Sequence, residues 1–174
     1  MARTTIKEIL SQLQTVADSL SEDTVKVCAE KIDAHGRVFV YGAGRSGLML
    51  RALAMRLMQM GKCAYVVGET VTPSVEEGDL LILASASGKT HSVCHYAEVA
   101  KHCGVDLLII TAAEQSPLTA IAPADVRFSV PDKDSAAGGV CPKALCGQVK
   151  TPSLLPVRRI SARLLPTVCA KSDW

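Results

Sequence analysis

The apolar run Val38-Phe39-Val40-Tyr41 leads directly into the small-residue turn Gly42-Ala43-Gly44-Arg45-Ser46-Gly47. Further along the chain, Leu80-Leu81-Ile82-Leu83-Ala84 leads in the same way into Ser85-Ala86-Ser87-Gly88-Lys89-Thr90. Each pattern predicts a buried strand, a turn and a helix, and the N-terminus of such a helix offers free N–H groups to an anion. We call residues 42–47 the first loop and residues 85–90 the second loop. Together they predict a site for a phosphorylated ligand between two neighbouring strands.

Strands and helices alternate on both sides of these loops. Apolar runs predict strands near 37–41, 63–67, 79–84, 106–111 and 125–130, with helices over about 46–60, 89–103 and 116–122. Two helices precede the first strand, one over 4–20 and one that Ser21 caps and that continues to about Ala34. Because the central strands are apolar throughout, we expect an α/β fold, a three-layer sandwich around a five-stranded parallel sheet. Ligands of such sheets bind at the carboxyl ends of the strands, where both loops lie.

Composition restricts the class of protein. The chain has 174 residues, enough for one domain with a sizeable core, and 48% of them are hydrophobic but only 3% aromatic. We find no apolar run of membrane-spanning length, no signal peptide and no basic, aromatic-rich face, and we therefore expect a cytoplasmic protein that binds neither membrane nor nucleic acid. The seven cysteines lack the spacing of zinc ligands, and Cys28, Cys63, Cys94 and Cys103 are expected to be reduced core thiols.

The segment from Ser135 to Trp174 differs in composition from the rest of the chain. It contains four of the eight prolines and three of the seven cysteines, and its net charge is +5, whereas residues 1–134 carry −3. Proline interrupts helices, and unbalanced charge disfavours a packed core. We therefore expect a domain over 1–134 and a poorly ordered tail over 135–174. A change of reading frame near residue 135 is one hypothesis for this shift, and sequencing of the coding DNA tests it.

The first loop fits two kinds of ligand. Gly42, Gly44 and Gly47 match the dinucleotide fingerprint G-x-G-x-x-G, and Glu69 follows near the position of a ribose-binding acid, which indicates NAD. Two helices come before the fingerprint, however, and a dinucleotide site gives no reason for a second loop rich in hydroxyls. Arg45 and Ser46 offer a charge and a hydroxyl to a small anion instead. Glycines that only form a tight turn are the structural alternative.

The second loop brings three hydroxyls to the start of a helix. Ser85, Ser87 and Thr90 could bind phosphate, Gly88 lets the backbone approach a ligand, and Lys89 adds a charge. The loop is not a Walker loop, because Leu83 occupies the position of the first glycine. The structural alternative is that Ser87 merely caps the helix.

Two further patterns favour structural roles. His91 and His95 have the spacing of a helical metal pair, but no third ligand follows at a recognisable offset, so we expect these residues and His102 to lie on a solvated face and predict no metal. The methionines of the helix after the first loop are expected to be core or subunit contacts. Apolar stripes on the N-terminal helices, formed by Ile6, Ile9, Leu13 and Val16, predict a homo-oligomer because uncovered apolar patches mark interfaces.

Three stretches together resemble the 6-phospho-3-hexuloisomerases, which are sugar isomerase (SIS) domain proteins. They are Val-Tyr-Gly-Ala-Gly-Arg-Ser-Gly at 40–47, Ala-Met-Arg-Leu-Met at 54–58 and Val-Val-Gly-Glu-Thr-Val-Thr-Pro at 66–73, and the second loop is similar to the family's phosphate loop. The resemblance covers about residues 5–134. It implies a flavodoxin-like sheet, usually in a homotetramer. It also implies interconversion of 3-hexulose 6-phosphate and fructose 6-phosphate, within formaldehyde fixation by the ribulose monophosphate pathway. This chemistry proceeds through an enediol and requires no metal or nicotinamide cofactor.

The resemblance also implies site residues. By position, the sugar-phosphate contacts are Ser46, Ser85, Ser87 and Thr90, and Gly88 matches a family glycine; Gly44, Arg45, Ala86 and Lys89 complete the predicted binding residues. Ala86 and Lys89 stand where the family usually has Gly and Glu.

The general base has no counterpart that we can place. The family's proposed base is a Glu in a C-terminal segment, but this chain has no Glu after Glu114 and no His after His102. Three alternatives stay open: Glu69 as a substitute, a base from a neighbouring subunit, or a protein that binds sugar phosphates without turning them over.

Overall fold

The computed structural model describes residues 2–128, which form five helices and five strands. The strands are β1 (Arg37–Gly42), β2 (Cys63–Val66), β3 (Leu80–Ala84), β4 (Asp106–Thr111) and β5 (Val126–Arg127). The helices are α1 (Ala2–Ser19), α2 (Glu22–Ala34), α3 (Arg45–Gln59), α4 (His91–His102) and α5 (Pro117–Ile121). The predicted elements are confirmed to within a few residues, except that residues 129 and 130 of the fifth strand and the predicted tail lie outside the described residues.

The strands form one parallel sheet in the order β2-β1-β3-β4-β5. The predicted five-stranded parallel sheet is therefore confirmed. The chain order reverses between β1 and β3, which pair in a register that sets Gly42 opposite Ala84. Such a switch point is where open α/β sheets bind ligands. The two loops follow these two paired residues, so the topology places them side by side.

Helices cover both faces of the sheet. On one face, α2 and α3 pack Cys28, Leu53 and Leu57 against the strands. On the other face, α4 and α5 pack Val93 and Leu118 against them. All of β3 is buried between these layers, with no residue more than 3% exposed. Burial on both faces explains why β3 is apolar at every position.

The first helix differs from expectation in what it covers. Val16 is buried and packs with Phe128, and Leu13 packs against the same cluster. The expectation that this stripe is uncovered is therefore wrong for these two residues, because the chain near β5 covers them. The side chains of Ile6 and Ile9 are not among those that the structure describes.

The amino ends of the strands, which we call the amino edge, carry a network of ion pairs. The Arg37 guanidinium donates to both carboxylate oxygens of Asp79, at 2.8 and 2.6 Å, and Glu76 N–H donates to Asp79 as well at 2.7 Å. Beside them, Lys31 pairs with Asp125 at 2.8 Å. Burial alone would raise the pKa of Asp79, but the hydrogen bonds from Arg37 and Glu76 outweigh it and hold that pKa below its ordinary value.

The cysteines follow the expectation only in part. Cys28 is buried, which raises the pKa of its thiol to about 11, and Cys94 is half-buried. Cys63 and Cys103 are exposed, because one begins the edge strand β2 and the other follows the last turn of α4.

Within residues 2–128 the structure has no helix that is long and apolar enough to cross a membrane.

Candidate functional site

The first loop turns sharply from β1 into α3, and its glycines make this turn possible. A Cβ on Gly47 would lie 2.2 Å from the Gly42 carbonyl oxygen, and Gly44 adopts a φ of +56°. Gly42 also lies close to the Ala84 carbonyl oxygen of β3. The glycines thus form the tight turn that both interpretations of the first loop require, and the turn does not decide between them. The turn brings the backbone at the start of α3 against the switch point.

Neither helix at the switch point has a side-chain cap. Gly44 is the N-cap of α3 and Thr90 is the N-cap of α4, and neither accepts a side-chain hydrogen bond from the first turn. By contrast, Ser21 caps α2 and Ser116 caps α5. The first N–H groups of a helix have no partner within the helix and are usually satisfied by caps, water or ligands. The helices that follow the two loops therefore have the N-termini best suited to an anion.

The hydroxyls of the second loop lie within one turn of chain. Ser85 is buried, and its hydroxyl lies 2.9 Å from that of Thr90. The Ser87 hydroxyl accepts from Lys89 N–H at 3.3 Å. The hypothesis that Ser87 caps the helix is wrong, because α4 begins at His91, four residues later, with Thr90 as its N-cap. Ser87 is therefore part of the turn itself.

The charged side chains at the loops contrast with those of the amino edge. Among residues 2–128, neither the Arg45 nor the Lys89 side chain forms an ion pair with a carboxylate. Lys89 is exposed and Arg45 is half-buried. Ser46, next to Arg45, is buried with 4% of its surface exposed. Two cations beside two uncapped helix N-termini make this part of the molecule attractive to a phosphate group.

Cys94 stands behind the second loop in the first turn of α4. Its thiol donates to the Gly88 carbonyl oxygen at 3.6 Å. Burial, followed by the nearby Glu98 charge, raises the pKa of Cys94. The side chain is therefore a neutral thiol at neutral pH and adds no negative charge beside the loop.

Glu69, the candidate base, lies on the segment after β2. Its carboxylate pairs with Arg51 of α3, with Arg51 Nη2 2.8 Å from Glu69 Oε1, and both side chains are about half exposed. β2 is the neighbour of β1 on the side away from β3. The structure thus brings the first and second loops together. Glu69 instead follows β2, at the edge of the sheet, and is paired with Arg51 of α3.

His95 and His102 lie beyond the first turn of α4, whereas His91 is the first residue of that helix and follows the second loop directly. His91, His95 and His102 are exposed on α4, as expected for a solvated face, and no cluster of three metal-ligating side chains occurs among residues 2–128. A cavity of about 520 Å³ opens beside α5, but its lining residues all lie between Glu114 and Arg127 and include neither loop. It does not coincide with the predicted anion site.

Comparison with known proteins identifies the family. Residues 31–140 match the model of the SIS domain, and the chain belongs to the SIS domain family. It is 44% identical over 133 residues to the 3-hexulose-6-phosphate isomerase of Mycobacterium gastri, which covers 72% of this chain and 67% of that protein. It is 38% identical over 133 residues to the 3-hexulose-6-phosphate isomerase of Bacillus subtilis, covering 76% of this chain and 72% of that protein. The resemblance seen in the sequence is confirmed.

A solved structure has a similar fold. It is that of a protein from Methanococcus jannaschii, for which a molecular function of 3-hexulose-6-phosphate isomerase has been inferred from its crystal structure. The TM-score is 0.77 at 28% identity, and the match covers 92% of this chain and 91% of that one. The three-layer architecture is therefore that of the family.

Sequence reasoning missed the residues that hold the second loop in place. Thr111, at the end of β4, is 1% exposed and donates its hydroxyl to the Ala86 carbonyl oxygen at 3.3 Å. Ser116 packs so closely on Gly88 that a Cβ there would lie 2.1 Å from the serine oxygen. A threonine at the end of a predicted buried strand was the only sequence signal available, and it did not indicate which loop the hydroxyl would reach.

Proposed function

We propose that this protein is a sugar-phosphate isomerase that interconverts 3-hexulose 6-phosphate and fructose 6-phosphate. The observation that carries this proposal is the pair of adjacent, uncapped helix N-termini at the switch point, with Arg45 and Lys89 beside them. The names of the similar proteins from Mycobacterium gastri and Bacillus subtilis support the choice of substrate. The pathway would be the ribulose monophosphate route of formaldehyde fixation, a part of carbohydrate metabolism.

In this proposal the two loops bind the phosphate of the sugar. Backbone N–H groups of the first turns of α3 and α4, and the hydroxyls of Ser87 and Thr90, donate to the phosphate oxygens. Hydrogen bonds to a charged group contribute about 1.5–3 kcal/mol each. Binding energy at the phosphate, remote from the reacting carbons, helps to orient the carbonyl end of the sugar for proton transfer.

The chemical step is a proton transfer between neighbouring carbons. A base removes the proton next to the carbonyl group and forms an enediol, and reprotonation at the other carbon completes the isomerisation. General acid–base catalysis contributes about 10²–10⁴-fold to the rate. Glu69 is our candidate base within this chain, and one of its two carboxylate oxygens is paired with Arg51.

The second candidate function is binding of a sugar phosphate without catalysis. The ion pair between Glu69 and Arg51, together with the lack of any Glu after Glu114, favours this alternative. We expect measurable binding of fructose 6-phosphate by calorimetry and isomerase activity near background in a coupled assay. A kcat of about 10 s⁻¹ or more, typical of a working enzyme, would contradict the second candidate.

One substitution then identifies the base. If turnover is observed, Glu69→Gln should reduce kcat by about 10²–10⁴-fold while fructose 6-phosphate still binds. Glu77→Gln, which removes another exposed carboxylate from the same segment between β2 and β3, is the matched control and should leave kcat unchanged. A kcat that Glu69→Gln does not alter would assign the base to another residue or to a neighbouring subunit.

We further propose that the protein is a homotetramer and works in the cytoplasm. Leu48, Met55 and Met58 are exposed by 60%, 47% and 56%, and their spacing along α3 places them on one side of that helix. Exposed apolar patches on small proteins mark interfaces, and a second copy would cover this one. Light scattering at micromolar concentration should give the mass of four chains, and a monomeric mass would contradict the proposal.

A further inference from the structure

Residues at the end of β4 and after it donate hydrogen bonds to two backbone carbonyl groups of the second loop, those of Ala86 and Gly88. Ala112 N–H and the Thr111 hydroxyl both donate to the Ala86 carbonyl oxygen, at 3.1 and 3.3 Å. The Thr111 oxygen also accepts from Ala113 N–H at 3.1 Å, which directs its own proton toward Ala86. Two residues further along the loop, the Gly88 carbonyl accepts from Leu118 N–H at 3.1 Å. The segment from Thr111 to Leu118 thus provides a donor for each of the two carbonyl groups, and the Cys94 thiol also donates to that of Gly88.

These contacts fix the direction of two N–H groups. In a trans peptide group the C=O and the following N–H point in opposite directions, and residues 2–128 contain only trans peptide bonds. Because the Ala86 carbonyl faces Thr111, Ser87 N–H points away from the β4 turn. By the same argument, Lys89 N–H points away from Leu118. The carbonyl oxygens, which would repel an anion, are thereby directed into the protein.

We propose that Thr111 is a positioning residue for phosphate recognition, whose hydroxyl holds the Ala86 peptide so that Ser87 N–H faces the ligand. The inference rests on the proposed function only in taking the second loop as the phosphate site. Thr111 is 1% exposed, so its hydroxyl acts on the loop rather than on the ligand. Ala112 N–H, in the backbone, donates to the same carbonyl oxygen. Among the described residues, Thr111 supplies the only side-chain hydroxyl that donates to it.

Thr111→Val tests this role with little change in shape. The variant keeps the branched side chain but loses the hydroxyl, so the Ala86 carbonyl keeps only Ala112 N–H as a donor and its peptide group is held less firmly. We expect the dissociation constant for fructose 6-phosphate, measured by calorimetry well below the melting temperature, to rise by about 2- to 12-fold, as the loss of one hydrogen bond implies. Binding of inorganic phosphate should weaken by a similar factor, since the lost contact affects the part of the site that binds the phosphate group. Thr111→Ser, which restores the hydroxyl, should restore the affinity.

Thr119→Val is the matched control. Thr119 also has a half-buried hydroxyl bonded to backbone in the same segment, but its partners are Ser116 atoms that cap α5. This variant should lower the melting temperature because it loosens the cap of α5, and it should alter the two dissociation constants less than Thr111→Val does, because the Ala86 carbonyl keeps both of its donors. Equal affinities for Thr111→Val and the unaltered protein would overturn the inference. Failure of the unaltered protein to bind either compound would overturn the proposed function, and the positioning role with it.

A measurement on the unaltered protein covers the case in which Thr111→Val does not fold. In an amide-resolved NMR titration with inorganic phosphate, the Ser87 N–H resonance should shift downfield as the phosphate site fills. The Ala112 N–H resonance should move little, because its carbonyl partner stays in place. Phosphate binding that shifts other amides of the second loop but not that of Ser87 would contradict the inferred direction of the peptide.

Discussion

The two edges of the sheet use charge in different ways. At the amino edge, Arg37, Asp79 and Lys31 are all engaged in ion pairs of 2.6–2.8 Å within the fold. At the carboxyl ends of the strands, which we call the carboxyl edge, Arg45 and Lys89 have no carboxylate partner among residues 2–128. Two helices begin there without a side-chain cap. The difference indicates that the amino edge stabilises the fold, whereas the carboxyl edge keeps hydrogen-bond donors and positive charge for a ligand. Variants at the two edges should therefore separate stability from binding.

The largest expected effect lies at the amino edge. Asp79→Asn removes the charge of a buried carboxylate that accepts three hydrogen bonds, two of them from Arg37. We expect the free energy of unfolding to fall by about 3 kcal/mol, because Arg37 loses its buried partner and keeps only the exposed Glu76 carboxylate, and because the asparagine cannot accept all three bonds. Chemical denaturation measures this loss. The affinity for fructose 6-phosphate, measured where both proteins are folded, should be unchanged.

Asp106→Asn is the control for this variant. Asp106 also pairs at the amino edge, with His35 at 2.9 Å, but its side chain is 66% exposed. Exposed pairs contribute about 0–1 kcal/mol, so this substitution should have a small effect on unfolding. If Asp79→Asn weakened sugar-phosphate binding while the protein stayed folded, the two edges would be coupled and the comparison between them would fail.

The second-largest effect is expected at the carboxyl edge, where binding should be weakened while stability is unchanged. Ser87→Ala should weaken fructose 6-phosphate binding by about 12- to 150-fold, because the phosphate loses a hydroxyl donor and Lys89 N–H loses the Ser87 oxygen. The free energy of unfolding should change little, since Ser87 lies on a turn and not in the core. Calorimetry and chemical denaturation give the two values. Ser74→Ala, at an exposed serine between β2 and β3, should alter neither.

A smaller effect follows from pH. The pKa of Asp79 lies below its ordinary value of 3.8 in the folded protein, so the unfolded chain binds a proton more readily. Its contribution to stability is therefore complete above the unfolded pKa and is lost as pH falls through the lower, folded pKa. Below about pH 4, the difference in unfolding free energy between the unaltered protein and Asp79→Asn should shrink. A difference that stays constant down to pH 2 would show that the carboxylate charge does not provide the stability.

Much of the fold could be predicted from the sequence because the decisive signals are local. The continuous apolar run of β3 required burial on both faces, and Ser21 marked the start of α2, where its hydroxyl accepts from Thr24 N–H. Helix α4 was predicted to begin near Lys89 but begins at His91, because Ser87 and Thr90 make their hydrogen bonds within the turn.

The site could be predicted only where one stretch of chain forms it. The hydroxyls of the second loop are close in sequence and were found, but the support comes from Thr111 at the end of β4 and from Ser116 at the start of α5, both more than 20 residues away. Contacts across neighbouring strands depend on register, which no single motif encodes. The ion pair between Glu69 and Arg51 could not be predicted for the same reason, because it depends on how the segment after β2 packs against α3.

The smallest effect that we predict tests whether the unpaired charge at the carboxyl edge matters by itself. Lys89 is exposed, and an exposed cation near an anion contributes about 0.2–1 kcal/mol, which salt reduces. Lys89→Gln should therefore weaken fructose 6-phosphate binding by about 2- to 5-fold at low ionic strength and by less at 0.5 M salt.

Lys101→Gln is the control, because Lys101 lies at the opposite end of the same helix, where its ammonium donates to the Ile121 carbonyl oxygen. Both variants change the net charge of the protein by the same amount, so a general effect of charge on an anionic ligand would appear in both. A loss that is confined to Lys89→Gln and fades with salt would locate the attraction at the second loop. Equal losses in the two variants would instead show that the ligand responds to the charge of the whole protein, and the contrast between the edges would then rest on the helix N-termini and hydroxyls alone.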